Sequence, residues 1–195
     1  MRNQNGNGKT ESTKSPEQGV KTWLCHGTFD DAMLKSFMEF YNGLLKDKET
    51  QAIIYIDSNG GAVHTADAII SIIENSSVDF YTCAIGNAHS SALALLVSGR
   101  KRFATDRARM LFHDVSFGAI GKVGEVNEKT QDAKEVSKRF LKAIAVKTNK
   151  SIEWWLAKAK KRETKDFLFS AHVALKFGVI DRIGLPEVMV VKKVS

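Results

Sequence analysis

Three polar residues in three separate segments of this chain could together carry out nucleophilic acyl transfer. Ser90 opens a run of small residues and leucines, His113 ends the apolar segment 109–112, and Asp166 begins the apolar segment 166–171. A serine hydroxyl is a weak nucleophile until a base takes its proton, and an imidazole base must itself be oriented by a third group. The three residue types can fill these three roles, whatever their order along the chain.

The residues around Ser90 predict a buried helix that begins beside it. The first turn of a helix has free N–H groups and the positive end of the aligned peptide dipoles, which stabilise an alkoxide or an oxyanion. The alternative is that Ser90 only caps the helix, because serine is a preferred N-cap. His89 is a second candidate base, but neighbours on a helix point about 100° apart, so we favour His113.

A glycine pair, Gly60-Gly61, follows the apolar strand predicted over 51–56, within a predicted turn over 57–61. The surrounding residues have neither the glycine spacing nor the terminal Lys-Ser/Thr of nucleotide-binding loops, so binding of a nucleotide here is disfavoured. Glycines can adopt positive φ and turn bare N–H groups toward an oxyanion. An ordinary tight turn is the alternative.

Strand and helix patterns alternate along the chain, which predicts an α/β fold with a mostly parallel sheet and flanking helices. The predicted strands cover 22–25, 51–56, 79–85, 102–105, 109–115 and 179–183. The predicted helices begin at Asp30, after the turn over 57–61, at His89, near 125, near 152 and at Ser170. The helix over 125–147 is the longest, and a glycine-bearing connection over 118–124 precedes it.

The composition is that of an ordinary globular protein, with 43% apolar and 26% charged residues. Residues 1–19 contain almost nothing apolar, so we predict a disordered polar tail before a single domain over 20–195. There is neither a secretory h-region nor an apolar stretch of about 20 residues, so we expect a cytoplasmic protein without a membrane partner. Cys25 and Cys83 are expected to be buried free thiols, without a zinc site.

The net charge is +7, and its densest basic cluster lies over 158–165. No RNA-binding motif or zinc finger accompanies this cluster. A solvated helix face is therefore the favoured interpretation, and nucleic acid is disfavoured as a partner.

Several short motifs between about residues 51 and 184 follow one another in the same order as those of the Clp protease proteolytic-subunit (ClpP) family. This part of the chain therefore resembles that family, whose members are serine peptidases of the ClpP/crotonase fold. They are Tyr55-Ile56-Asp57-Ser58-Asn59-Gly60-Gly61, Gly86-x-Ala88-x-Ser90, Arg109-Met110-Leu111-Phe112-His113, Asp166-Phe167-Leu168-Phe169-Ser170-Ala171 and Phe177-Gly178-Val179-Ile180-Asp181.

The resemblance assigns a role to each matching residue. It implies that Ser90 is the nucleophile, His113 the general base and Asp166 the group that orients the base. It also implies that the backbone N–H groups of Gly61 and Ser91 form the oxyanion hole. Loss of one such donor typically lowers the rate about 10²–10³-fold.

The resemblance also implies an assembly and its partners. The family forms seven-membered rings that stack face to face into a tetradecamer and enclose the active sites. The helix over 125–147 would be a protruding handle at the ring contact, and the segment 114–124 would lie beside an extended polypeptide substrate. No cofactor or metal is implied, because ATP acts only through an AAA+ unfoldase partner. The polar tail differs from the family's axial-loop segment.

Departures from the family pattern leave other functions open. The family usually has proline, a small residue, methionine and glycine where this chain has Asn59, His89, Ser91 and Ala92. These changes favour a non-catalytic ring subunit as one alternative. The unusual tail suggests a specialised peptidase of the same family, for example one for capsid maturation. A crotonase-type acyl-CoA enzyme would use the backbone N–H groups to hold a thioester enolate, without the Ser/His/Asp set.

Overall fold

The computed structural model of this protein describes residues 19–113, 122–161 and 166–187. The predicted tail therefore lies outside the described residues, except for Gly19. Most of the predicted substrate-binding segment over 114–124 also lies outside them.

One sheet of seven strands forms the centre of the described chain. The strands are β1 Lys21–Phe29, β2 Gln51–Gly61, β3 Asp79–His89, β4 Lys101–Ala104, β5 Arg109–His113, β6 Asp166–Ser170 and β7 Arg182–Ile183. Their order is β1-β2-β3-β4-β7, and β5 pairs with both β3 and β6. Every pairing is parallel except that of β5 with β6. The predicted α/β fold with a mostly parallel sheet is confirmed.

The helices flank this sheet. They are α1 Asp31–Lys46, α2 Val63–Asn75, α3 Ser91–Ser98, α4 Val123–Thr148, α5 Ile152–Lys160 and α6 Ala171–Phe177. Asp30 caps α1, because its carboxylate accepts a hydrogen bond of 2.9 Å from the Met33 N–H. Met33, Phe37 and Leu44 form the buried face that the apolar spacing predicts.

The core centres on α3, because all eight of its residues are buried. It packs against β2, β3, α2 and α4. A helix that is apolar on every face must be enclosed by other elements. The buried position of α3 therefore determines where the chain passes from β3 into the helix. Cys25 and Cys83 are also buried and unpaired, as expected, and burial raises the pKa of each thiol to about 12.

β1 covers 21–29, where 22–25 was predicted, and two further strands are longer than predicted. β2 continues through 57–61, so the predicted turn is wrong, because β1 pairs with this stretch as far as Phe29 and Gly61. β3 continues to His89, so α3 begins at Ser91 and not at His89. In both cases a neighbouring strand supplies backbone partners that the local sequence does not reveal.

Strand β6 was not predicted at all. Phe167 and Phe169 face the core, while Leu168 between them is 51% exposed. Because all three residues are apolar, the alternation that identifies a strand is hidden in the sequence.

The predicted long helix is confirmed as α4. Its buried described side chains begin at Phe140 and include Leu141, Ile144 and Ala145. Across the described ranges, no helix is both long and apolar enough to cross a membrane.

Candidate active site

Ser90 lies at a sharp turn between β3 and α3. Its φ of 54° and ψ of −121° are values that non-glycine residues rarely adopt. Its N–H donates to the Leu111 carbonyl on β5 at 3.0 Å. The Ser90 carbonyl accepts from the Leu93 N–H at 2.9 Å and so begins α3. Ser90 is therefore the N-cap residue, but within the described chain its side chain makes no capping bond.

Gly60 makes this turn possible. A Cβ atom at Gly60 would lie 2.9 Å from the Ser90 Cβ and 2.8 Å from the His89 carbonyl oxygen. The φ of Gly60 is 94°, which also favours glycine. The end of β2 can approach Ser90 this closely only because position 60 has no side chain.

His113 and Asp166 lie directly opposite each other on β5 and β6. Opposite residues of an antiparallel pair have Cα atoms about 4.5–5.5 Å apart, and their side chains share one face of the sheet. An imidazole and a carboxylate in this relationship can form the orienting pair that a general base needs.

Ser90 is connected to this pair through β5. His89 pairs with Leu111, and His113 is two residues beyond Leu111 on the same strand. The structure thus places Ser90, His113 and Asp166 at the adjoining ends of β3, β5 and β6. Their catalytic roles remain predictions.

The two predicted oxyanion donors also lie side by side. Ser91 is the first residue of α3, and its hydroxyl donates to the Gly61 carbonyl at 3.0 Å. The first two residues of α3, Ser91 and Ala92, have N–H groups without a helical carbonyl to bond, and the helix dipole is positive there. This end of α3, beside Gly61, therefore favours a negative charge.

His89 is the last residue of β3 and does not lie on a helix beside Ser90. The reason given for favouring His113 over His89, that neighbours on a helix point about 100° apart, is therefore wrong. It shares a sheet face with its pair Leu111, and therefore with His113 two residues further on. Burial lowers the pKa of His89 first, the neighbouring His113 lowers it further, and Asp57 opposes them. Its Nε2 is buried and finds no hydrogen-bond partner among the described residues. These surroundings thus favour the neutral form of the His89 imidazole.

Asn59, where the family usually has proline, makes a cross-strand hydrogen bond. Its side-chain oxygen accepts from the Asn87 amide at 3.0 Å. The Asn87 backbone N–H donates to Asp57 at 2.9 Å. These bonds join the ends of β2 and β3, where the regular register shifts after Ile56.

Ser58 is the residue that sequence reasoning missed. It is only 3% exposed, and its hydroxyl accepts from the Gly60 N–H at 3.1 Å and donates to the Gly27 carbonyl. The available signal was its position, because Ser58 follows Ile54 and Ile56 on the core-facing side of β2. A polar residue at such a position must have hydrogen-bond partners.

The site thus combines Ser90 at a strained strand-to-helix turn with a histidine and an aspartate that are cross-strand neighbours, which are the residue types of a serine-hydrolase triad. The family model described as Clp protease matches residues 23–187. The chain therefore belongs to the Clp protease family, which confirms the resemblance and assigns the chain to a family of peptidases.

Proposed function

We propose that this chain is a self-compartmentalised serine endopeptidase that cleaves unfolded polypeptides through an acyl-enzyme. The observation that carries the proposal is the strained Ser90 turn. Its N–H bonds Leu111, two residues before His113, and the cross-strand neighbour of His113 is Asp166. Strained backbone persists where the surrounding structure holds it, and it concentrates at functional sites.

In the proposed first step, the Ser90 Oγ attacks the scissile carbonyl carbon while His113 takes the hydroxyl proton. Asp166 holds the imidazole in the correct tautomer and orientation. The Gly61 and Ser91 N–H groups bind the carbonyl oxygen as it becomes an oxyanion. The C–N bond then breaks, and His113 gives its proton to the leaving amine.

In the second step, water attacks the acyl ester. His113 takes a proton from this water and returns it to the Ser90 oxygen as the C–O bond breaks. The proposed reaction uses only these side chains, the backbone donors and water, so ATP would act only through an AAA+ unfoldase that delivers unfolded chains.

The assembly belongs to the same proposal. We expect heptameric rings stacked into a tetradecamer, with α4 as the handle between the rings. None of the described side chains of α4 before Phe140 is buried, which supports a contact made outside this chain. A cytoplasmic location is part of the proposal, since Cys25 and Cys83 are free thiols, as in a reducing compartment.

The test is hydrolysis of fluorogenic peptides by the purified full chain, its Ser90→Ala variant and a matched Ser98→Ala control. Ser98 is a buried serine at the other end of α3, and its hydroxyl bonds the Leu95 carbonyl at 2.8 Å. We expect turnover by the wild type and the control, and a loss of about 10⁴-fold or more in Ser90→Ala.

Equal turnover by Ser90→Ala and the wild type would overturn the proposal. Assembly into rings without turnover would instead support the non-catalytic subunit. Size-exclusion chromatography with light scattering on the same samples reports the assembly.

A further inference from the structure

The predicted oxyanion donors sit on two segments whose separation the sheet alone does not fix. The β2–β3 pairing runs regularly only as far as Ile56, and its register has shifted when it resumes at Ser58. Gly60 and Gly61 have φ values of 94° and 150°, and glycines there have wide conformational freedom. Pairing with β1 holds Gly61 opposite Phe29, and a direct contact with α3 would add to this in setting where the Gly61 backbone lies relative to the helix.

The Ser91 side chain makes such a contact. Ser91 is fully buried, and its hydroxyl donates to the Gly61 carbonyl at 3.0 Å. The next peptide group is also held, because the Ala62 N–H donates to the Phe29 carbonyl at 2.9 Å. Hydrogen bonds thus hold the Gly61 carbonyl to α3 and the peptide group that follows it to β1.

The other side of the glycine pair is fixed by Ser58. The Gly60 N–H donates to the Ser58 hydroxyl at 3.1 Å, and that hydroxyl donates in turn to the Gly27 carbonyl. The peptide group that joins Gly60 to Gly61 carries the Gly61 N–H. It therefore lies between two backbone groups that buried serine hydroxyls hold in place.

We propose that the Ser91 hydroxyl is a positioning group that sets the Gly61 N–H for the oxyanion. This inference rests on the proposed function, since it assumes that Gly61 and Ser91 supply the oxyanion donors. Ser91 then acts twice: its backbone N–H binds the oxyanion, and its hydroxyl holds the second donor in place.

A positioning role predicts an effect on the transition state rather than on substrate binding. Preorganised donors stabilise the charge that develops during reaction, so their loss lowers kcat. The Ser91→Ala variant keeps the backbone N–H and removes only the hydroxyl. We expect kcat for a fluorogenic peptide to fall about 5- to 30-fold, with KM within about twofold, as for the loss of one good hydrogen bond.

Ser98→Ala is the matched control, because Ser98 is 6% exposed on the same helix and also bonds a backbone carbonyl. It removes a buried hydroxyl without touching β2, so we expect kcat to stay near the wild-type value. Hydrogen exchange adds a second readout. We expect the Gly61 amide to exchange faster in Ser91→Ala than in the wild type, and at the wild-type rate in Ser98→Ala.

A second pair of variants separates the hydroxyl from folding and packing. Ser91→Thr and Ser91→Val have nearly equal volume, and only threonine keeps the hydroxyl. We expect kcat of the threonine variant to exceed that of the valine variant by about fivefold or more. This comparison serves even if Ser91→Ala does not fold.

The outcomes separate this inference from the proposed function. The inference alone is overturned if turnover depends on Ser90 but not on the Ser91 hydroxyl. In that case kcat of Ser91→Ala equals that of Ser98→Ala, and kcat of Ser91→Thr equals that of Ser91→Val. A wild type without Ser90-dependent turnover overturns the proposed function, and the inference with it.

Discussion

His113 and Asp166 are cross-strand neighbours on β5 and β6. The ladder continues from them to Arg109 and Ser170 without a register shift. A slip of one residue would turn Phe167 and Phe169 out of the core, so the register is strongly specified. The packing of the two phenylalanines therefore keeps Asp166 opposite His113 in the ladder.

This relationship predicts which histidine is the base. His113→Ala should lower kcat/KM for a fluorogenic peptide about 10³-fold or more, because the general base is lost. His89→Gln should keep kcat/KM within about tenfold, because a neutral amide replaces a neutral imidazole. The reverse ranking would show that His89 is the base, with Asp57 as its charged neighbour.

Gly60→Ala tests the close approach of β2 to Ser90. The added Cβ would lie 2.8 Å from the His89 carbonyl oxygen, at a φ of 94°. We expect the free energy of unfolding in urea to fall by about 1–3 kcal/mol. Peptide turnover should also fall, because Ser90 must move.

Gly43→Ala is the control for this substitution. A Cβ at Gly43, within α1, meets nothing within 4 Å, so the change should be neutral or stabilise by up to about 1 kcal/mol. If Gly60→Ala were as stable and as active as Gly43→Ala, the turn would not depend on the glycine.

The half-buried His89 imidazole should make stability depend on pH. Its pKa in the folded state lies below the ordinary value of 6.5, chiefly because of burial. The unfolded chain then binds a proton more readily, so this contribution to stability is present above pH 6.5 and is lost as the pH falls below it.

Thermal unfolding of the wild type and of His89→Gln at several pH values measures this effect. The Tm difference, wild type minus variant, should shrink as the pH is lowered from neutral toward 5. His64→Gln, at an exposed position in α2, corrects for the loss of one histidine. A Tm difference that stays constant or grows on acidification contradicts the lowered pKa.

The sequence was most informative where structure depends on local periodicity. The stripe of Met33, Phe37 and Leu44 predicts α1, and the continuous apolar run over 51–56 predicts the buried part of β2. The types of the candidate residues Ser90, His113 and Asp166 also suggested their chemistry. Each of these signals lies within one segment.

The rest depends on contacts between distant segments. The extension of β2 to Gly61 requires pairing with Phe29, and the strained φ of Ser90 requires Gly60 beside it. The cross-strand pairing of His113 required β6, a strand whose alternation its phenylalanines conceal. No local pattern carries this information.

Arg102 should contribute more to stability than an ordinary surface arginine. Its guanidinium makes two bonds to Asp181, of 2.6 and 3.1 Å, and its Nη1 donates to the Gly178 and Lys147 carbonyls. Lysine cannot reproduce this fork. We expect Arg102→Lys to lower the free energy of unfolding by about 1–3 kcal/mol.

Arg100→Lys provides the comparison, because Arg100 pairs with Asp79 on the surface through one bond of 2.9 Å. A change of at most about 0.5 kcal/mol is expected there in urea unfolding. Equal losses for the two variants would mean that the bonds of Arg102 add nothing beyond a surface ion pair.

Covalent labelling with a fluorophosphonate reports whether Ser90 is an activated nucleophile, since the reagent reacts with activated serines. Labelled protein is digested, and the modified residue is identified by mass spectrometry in the wild type, Ser90→Ala and His113→Ala. We expect modification of Ser90 in the wild type, no modification in Ser90→Ala and slow modification of Ser90 in His113→Ala. Labelling of another serine, or equally fast labelling of Ser90 without His113, would contradict it.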